Sequence, residues 1–312
     1  MFRRHSIAFL LALTLGLLPR VAHAQATTVS GVYTTGIDSS GMALSGASQD
    51  PNWKLTYMNY VEPAKHGTRT VTNTYSYANA PSAYVVDAAN NSSTDFVGSV
   101  GWSANVTSSP AAQWITVPGA YMTTSSTGPN TGGAYYYGYG TGSTEGIYIY
   151  TLKFTIAGTG AAGTPVSNVS LSFTTSADDQ FYAYLNPSGN GSTLPSASSA
   201  VYHYVYTPGS SPWANTTVFT MDSTNSNFVI GDNYLVFVVD NIDSQTSSTV
   251  TGTGVNATGL FVSYISGTIN GTPVQVVVPE VGTWIPAIGA ILLYGLVIWR
   301  RRRSGVQAAD AA

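Results

Sequence analysis

The sequence predicts an all-β domain, an antiparallel β-sandwich, over residues 25–277. Short runs rich in β-branched and aromatic residues alternate there with turns of Gly, Asn, Asp and Ser. No amphipathic helix of convincing length separates these runs, which argues against strand–helix–strand units. The region is long enough to bury a sizeable core as one domain. Because the chain has no cysteine, its stability must come from core burial without disulfides.

The predicted strands number roughly ten. The clearest is 147–156, where alternation predicts a core-facing set: Tyr148, Tyr150, Leu152, Phe154 and Ile156. The run 235–239 is nearly all apolar, as in a strand covered on both faces. In order, the predicted strands are 29–35, 53–59, 82–86, 114–117, 147–156, 169–175, 181–185, 202–206, 216–221, 234–241 and 259–269. Between them, the Gly/Ser/Thr/Tyr stretch 123–143 reads as a long loop.

The N-terminus, 1–24, has the pattern of a secretory signal peptide. Arg3 and Arg4 precede an apolar stretch too short to span a bilayer, and Ala22-His23-Ala24 is a small-x-small cleavage site. We expect export by the general secretory route and a mature chain that starts at Gln25.

The C-terminus, 278–303, has three parts in sequence. A polar motif comes first, followed by an apolar run, 284–299, of roughly 24 Å as a helix. Arginines then favour the cytoplasmic side for the end of the run and for the tail 304–312, which orients the upstream domain outward. The motif residues are Pro279, Glu280, Gly282 and Thr283; the flanking residues are Trp284, Trp299, Arg300, Arg301, Arg302 and Arg303.

This order of motif, membrane helix and basic cluster resembles the PEP-CTERM sorting signal of bacterial exosortase substrates. Val281 stands where that family usually has proline, which leaves open the exosortase variant. The resemblance implies a transient inner-membrane anchor, cleavage by an exosortase-type enzyme, and release to the cell surface or to the exopolysaccharide matrix of a biofilm in a Gram-negative-type bacterium. On hydrophobicity alone, a plain C-terminal anchor is the alternative.

The upstream domain resembles the single β-sandwich domain often found ahead of this sorting tail. The shared motifs include Asp50-Pro51-x-Trp53, the strand ending Ala177-Asp178-Asp179, and the runs 235–241 and 259–262. The last two lie side by side in jelly-roll folds such as galactose-binding and discoidin domains. The resemblance therefore implies a jelly-roll-like sandwich and names no ligand.

Charge and histidine content exclude several functions. Residues 25–277 carry four basic and twelve acidic side chains, a net charge of about −8, which disfavours nucleic-acid binding. Without cysteine, thiolate zinc sites are impossible. The two histidines of this region, His66 and His203, lie near no nucleophile motif. We therefore predict no catalytic residues and a non-enzymatic protein.

One local signal indicates a metal. Asp178 and Asp179 at a strand turn, with Asn186 after the next strand, offer oxygen ligands for Ca²⁺. The pair resembles the calcium-holding acid pair of sugar-binding jelly-rolls of the anthrax-protective-antigen type. The alternative is a turn whose carboxylates cap backbone amides, with no cofactor. A second acidic turn, Asp240-Asn241-x-Asp243, is a second candidate calcium site.

Aromatic residues offer a further binding candidate. Trp53, Trp102 and Trp114 are expected in the core, whereas Trp213 lies in a predicted loop and is the candidate for stacking on a sugar ring. The leading expectation is an exported, non-enzymatic surface or matrix protein. The alternatives are a carbohydrate-binding module or adhesin that meets extracellular polysaccharide, and an enzyme acting on polysaccharide.

Overall fold

The fold is all-β and antiparallel, as predicted. The structure, a computed structural model, describes residues 24–46, 48–64, 67–86, 103–106, 111–117, 146–207, 213–241 and 258–274. Every pairing between the strands of these ranges is antiparallel. The described helices are three single turns of 3-10 type: Tyr77–Asn79, Ser188–Gly191 and Ala197–Ser199.

The described ranges contain thirteen strands. In chain order they are β1 Ala26–Ser30, β2 Gln49–Ala64, β3 Gly67–Thr74, β4 Ser82–Val85, β5 Ile115–Thr116, β6 Gly146–Gly158, β7 Val169–Asp178, β8 Gln180–Leu185, β9 Tyr202–Tyr204, β10 Thr217–Asp222, β11 Gly231–Asn241, β12 Gly259–Ile269 and β13 Thr272–Val274.

Several strand boundaries differ from the predictions, and two strands were not predicted. The first strand ends at Ser30 and not at residue 35, because Gly31 takes a left-handed φ of 82° that a strand cannot continue. Strand β3, rich in threonine, was not predicted. Nor was β13, which follows Asn270 and Gly271, both left-handed as a two-residue hairpin turn requires.

The strands form one sheet in the order β10-β7-β12-β5-β4-β2-β6-β11-β8-β9, with β1 on β6, β3 on β2 and β13 on β12. The two end strands of this order, β10 and β9, contact each other through their side chains. Tyr202 of β9 stacks on Phe219 of β10, with ring centroids 4.8 Å apart. Phe219 also contacts Phe181 of β8 and Phe237 of β11. The sheet therefore wraps around one aromatic core.

The predicted core residues are confirmed. Tyr148, Tyr150, Leu152, Phe154 and Ile156 of β6 are all buried in the main core. Trp53 and Trp114 are likewise fully buried, as predicted. Burial of this aromatic and aliphatic surface is the main force that stabilises the domain.

Strand β11 is covered on both faces, as its apolar run predicts. Leu235, Phe237 and Val239 join the main core, whereas Val236 and Val238 join a second cluster on the outer face. The 3-10 turn Ser188–Gly191 lies over this outer face. There the Gly191 carbonyl accepts a hydrogen bond of 2.8 Å from the Thr56 hydroxyl.

Asp50 organises the start of β2. Its fully buried carboxylate accepts hydrogen bonds from the backbone N–H groups of Gly36 at 2.7 Å, Asn52 at 2.8 Å and Trp53 at 3.1 Å. Burial raises the pKa of Asp50 to about 7, and these donors oppose the rise. The carboxylate thus joins the segment before β2 to the strand itself.

The end strand β10 is capped on the edge that faces away from β7. The Asn225 amide donates to the Thr220 carbonyl at 2.9 Å and accepts from the Asp222 N–H at 2.9 Å. The backbone N–H and carbonyl groups of successive residues in a strand point alternately to its two edges. Those of Val218, Thr220 and Asp222 therefore point to the edge away from β7.

Candidate functional site

The two aspartates predicted to bind a metal lie where the chain passes from β7 to β8. Asp178 is the last residue of β7, and Asp179 alone separates it from β8; the peptide between them is cis. Both side chains are buried, with 8% and 4% of their surface exposed. The corner is therefore an interior feature at one end of the sheet, which we call the acidic end.

Strand register brings the second predicted acidic turn to the same place. Asp240 of β11 pairs with Gln180 of β8, and the Gln180 amide donates to the Asp240 carboxylate at 2.7 Å. Asn241 follows Asp240, and Asp179 precedes Gln180, so both residues lie just beyond the last pair of this register. On the other side of the corner, Gly259 of β12 pairs with Asp178, so Thr258 is also adjacent. The two acidic turns predicted separately are thus neighbours, while Asp243 lies outside the described residues.

Asn241 and Thr258 supply uncommitted polar atoms at the acidic end. Both side chains are fully buried. Within the described part of the chain, the amide nitrogen and amide oxygen of Asn241 form no hydrogen bond. The Thr258 hydroxyl forms none there either. A buried polar group left without a partner costs about 1–3 kcal/mol. Buried polar groups without a protein partner are therefore usually bound by a water molecule, an ion or a ligand.

The donor atoms at the acidic end are oxygens of the kind that hard cations prefer. Within the described ranges, no cluster of three or more His, Asp or Glu side chains is close enough to hold a metal ion. Besides the carboxylates of the two aspartates, the amide oxygen of Asn241 and the hydroxyl of Thr258 lie at this end of the sheet. This donor set suits a calcium ion better than a transition metal.

Trp213 lies at the acidic end as well. Its ring stacks on Tyr206, with centroids 6.3 Å apart and planes 18° apart, and it is half-buried, less open than predicted. The Tyr206 N–H donates to the Gln180 side chain at 3.4 Å. Gln180 thus connects the aromatic pair to the corner of Asp178 and Asp179, a connection that no local pattern indicated.

Asn186 is not part of this group. It follows β8 at the opposite end, about seven extended residues or ~23 Å from Asp179. Its side chain is engaged there, donating to Asn227 and Asn233 and accepting from the Tyr234 N–H at 2.7 Å. The structure therefore brings Asp178 and Asp179 together with Asn241, and assigns Asn186 to a turn network.

The remaining predicted sites have different outcomes. His203 is exposed on β9, with its ring 5.8 Å from that of Tyr182. Ala24, the predicted last residue of the signal peptide, is buried and forms a bridge with Val166. The predicted sorting motif, its flanking residues, Trp102 and His66 lie outside the described residues. Among the residues that are described, no helix is long and apolar enough to cross a membrane.

Comparisons with models of known protein families, with curated proteins and with solved structures found no match for this chain.

Proposed function

We propose that the chain is an exported, non-enzymatic protein of the bacterial cell surface or extracellular matrix, sorted by an exosortase-type enzyme. The observation that carries this proposal is the tail sequence. Pro279 and Glu280 lie three residues before the apolar run 284–299, and four arginines follow it. A signal peptide at the other terminus fits the same route. In this proposal the C-terminal run anchors the protein to the inner membrane only until cleavage.

Cell fractionation tests the sorting proposal. The wild-type protein is expressed in a host with its exosortase-type enzyme and in the same host without it. We expect a surface form that lacks the tail only when the enzyme is present, and intact mass reports both cleavages. Pro279→Ala with Glu280→Ala should hold the chain in the inner membrane, whereas the control Gln275→Ala should not. Retention of wild-type protein in the inner membrane under both conditions would contradict the proposal.

We further propose that residues 25–277 form a jelly-roll β-sandwich. The strand order supports this, since β5-β12-β7-β10 and β6-β11-β8-β9 are two runs of four neighbours. The chain alternates between them from β5 to β8 and again from β9 to β12, as in the two Greek keys of a jelly roll. Ring contacts of Phe219 with Phe181 and Phe237 support face-to-face packing of the two runs.

Calcium-dependent carbohydrate binding is a second candidate function. The convergence of Asp178, Asp179 and the uncommitted amide of Asn241 favours it. A calcium ion there would draw on the carboxylates and the amide oxygen. The ring of Trp213 at the same end provides an apolar surface against which a sugar can pack.

Thermal unfolding with and without calcium tests the second candidate. We expect millimolar CaCl₂ to raise the melting temperature of the wild-type protein, because an ion that binds only the folded state stabilises it. Asp179→Asn should remove the rise, and Asp222→Asn, at a carboxylate on the opposite end of the sheet, should leave it intact. A glycan array read with calcium and with EDTA then tests sugar binding. An unchanged melting temperature in calcium would exclude the ion.

A further inference from the structure

Tyr264 projects into solvent from the middle of β12, with 56% of its surface exposed. Its φ of 45° is in the left-handed region, which a bulky residue rarely adopts. The register of β12 against β7 shifts between Ser263 and Ser266, so a bulge lies at this position. The bulge turns Tyr264 outward, onto the same face as Ser266 and Thr268. The fold thus holds an aromatic ring in water in an unfavourable backbone conformation.

The face around this ring is rich in hydroxyl groups; we call it the hydroxyl face. It is the outer side of β10, β7 and β12, whose registers align outward-pointing residues in rows. The rows are Val218 with Thr174, then Thr220 with Ser172 and Ser266, then Asp222 with Ser170 and Thr268. Neighbouring strands lie about 4.8 Å apart, so the rows form a regular array. Within it, the Ser172 and Thr220 hydroxyls bond each other at 2.6 Å.

The last row of the hydroxyl face opens into a shallow depression of about 450 Å³. Ser170, Thr268 and Asp222 belong to both. The depression is also lined by Gln25 and Asn270, both exposed. Within the described ranges, the side chains of Gln25, Ser170, Thr268 and Asn270 form no hydrogen bond. The face therefore joins an exposed ring to a concavity with uncommitted polar groups.

Charge and polarity identify the class of ligand. The described residues of the hydroxyl face include the carboxylate of Asp222 and no basic side chain, so nothing there attracts phosphate, sulfate or a uronic acid. Its exposed apolar side chains are Val218 and Tyr264, too few for the apolar centre of a stable protein interface. A ligand that combines many neutral hydroxyls with an apolar ring face matches this surface.

We propose that the hydroxyl face binds a neutral saccharide chain. Tyr264 packs against the face of one sugar ring. The following sugar rings enter the depression. Their hydroxyls form hydrogen bonds with the hydroxyl groups of the face, such as that of Ser172, and with the side-chain amide of Asn270. The site needs no metal and lies at the opposite end of β7 from Asp178, so it is separate from the acidic end and does not rest on calcium binding or on sorting.

Isothermal titration calorimetry on the full chain tests the proposal. The protein is held in lauryl dimethylamine oxide, a detergent without a sugar, in the presence of EDTA. The probes are cellohexaose and maltohexaose as neutral chains and a mannuronate hexamer as the anionic control. We expect at least one neutral probe to bind and the mannuronate hexamer not to bind. No binding of either neutral probe, or equal binding of the mannuronate hexamer, would overturn the proposal.

Two glycine variants separate binding from folding. Tyr264→Gly and Asn270→Gly each place glycine at a left-handed φ, where it is favoured, so neither should lower the melting temperature. We expect Tyr264→Gly to weaken binding of the neutral probe about tenfold and Asn270→Gly to weaken it less. Met42→Ala, at a side chain 65% exposed outside this face, is the control that should not change binding. Unchanged affinity in Tyr264→Gly, or binding that requires calcium, would refute the assignment to the hydroxyl face.

Discussion

Replacing Asp50 by asparagine tests how burial acts on a carboxyl group inside this domain. Burial raises the pKa of Asp50 from its ordinary 3.8 to about 7, against the opposing effect of three backbone N–H donors. The folded chain then holds a proton that the unfolded chain releases, so the free energy of unfolding falls as the pH rises between these two values. At about 1.4 kcal/mol per pH unit, the loss over this range is ~4 kcal/mol.

The assay is urea unfolding of the wild type and of Asp50→Asn, followed by the fluorescence of the buried Trp53 and Trp114 from about pH 4 to about pH 8. The asparagine amide nitrogen cannot accept the Gly36 N–H, so near pH 4 the variant should be less stable than the wild type by about 1–3 kcal/mol. The advantage of the wild type should be largest near pH 4 and should shrink as the pH rises. An advantage that stays constant or grows with pH would refute the reasoning, because it would mean that the donors keep the carboxylate ionised.

Asp38→Asn is the matched control for Asp50→Asn. The Asp38 carboxylate also accepts three hydrogen bonds, from the Ser40 N–H, the Ser40 hydroxyl and the Met42 N–H, but it is only half-buried. The hydrogen bond from the Ser40 hydroxyl is the largest cause that lowers the pKa of Asp38, and burial opposes it without reversing the shift. The sign is therefore reversed: the stability from Asp38 is present above its ordinary pKa and is lost as the pH falls through its lowered value.

Three further variants test the packing. Asn233→Ala removes a fully buried amide that bonds Asn186, Val229 and Gly231, so urea unfolding should show a loss of about 2–4 kcal/mol; a loss below about 1 would contradict this role. Gly191→Ala places a Cβ near the Thr151 hydroxyl, whereas Gly163 has a similar φ but open space around it. Gly191→Ala should therefore lower stability by about 1–3 kcal/mol more than Gly163→Ala. Equal losses would show that the added Cβ at position 191 meets no steric clash. Lys153→Ala breaks the exposed ion pair with Asp232 and should change stability by less than about 1 kcal/mol, as a double-mutant cycle would show.

The main core could be predicted from the sequence because it depends on local alternation. The period of two along β6 identified its buried face, and the continuous apolar run of β11 predicted cover on both sides. The acidic end could not be assembled in the same way. Asp179 and Asn241 are 62 positions apart in the sequence, and only the registers of β8 with β11 and of β7 with β12 bring them together.

Tyr264 shows a signal that was present and not used. The residues of β12 that face the main core change from even positions, at Leu260 and Val262, to odd positions, at Ile265 and Ile269, although the apolar Phe261 partly masks this change in the sequence. Such a change of parity within one strand indicates a bulge, and the residue at the change is turned to the other face. In contrast, nothing local distinguishes Asp50 from a surface aspartate, because its burial comes from segments that pack over it.

The Asn225 cap on β10 has a consequence for many copies of this protein held close together. An exposed strand edge is a template on which another chain can add a strand. Of the groups that β10 presents to this edge, the Thr220 carbonyl and the Asp222 N–H are occupied by Asn225. The N–H and carbonyl of Val218 and the N–H of Thr220 remain, too short a stretch for a ladder. Wherever copies of the chain are concentrated, this single amide leaves little of the described β10 edge open to pairing with a strand of a neighbouring molecule.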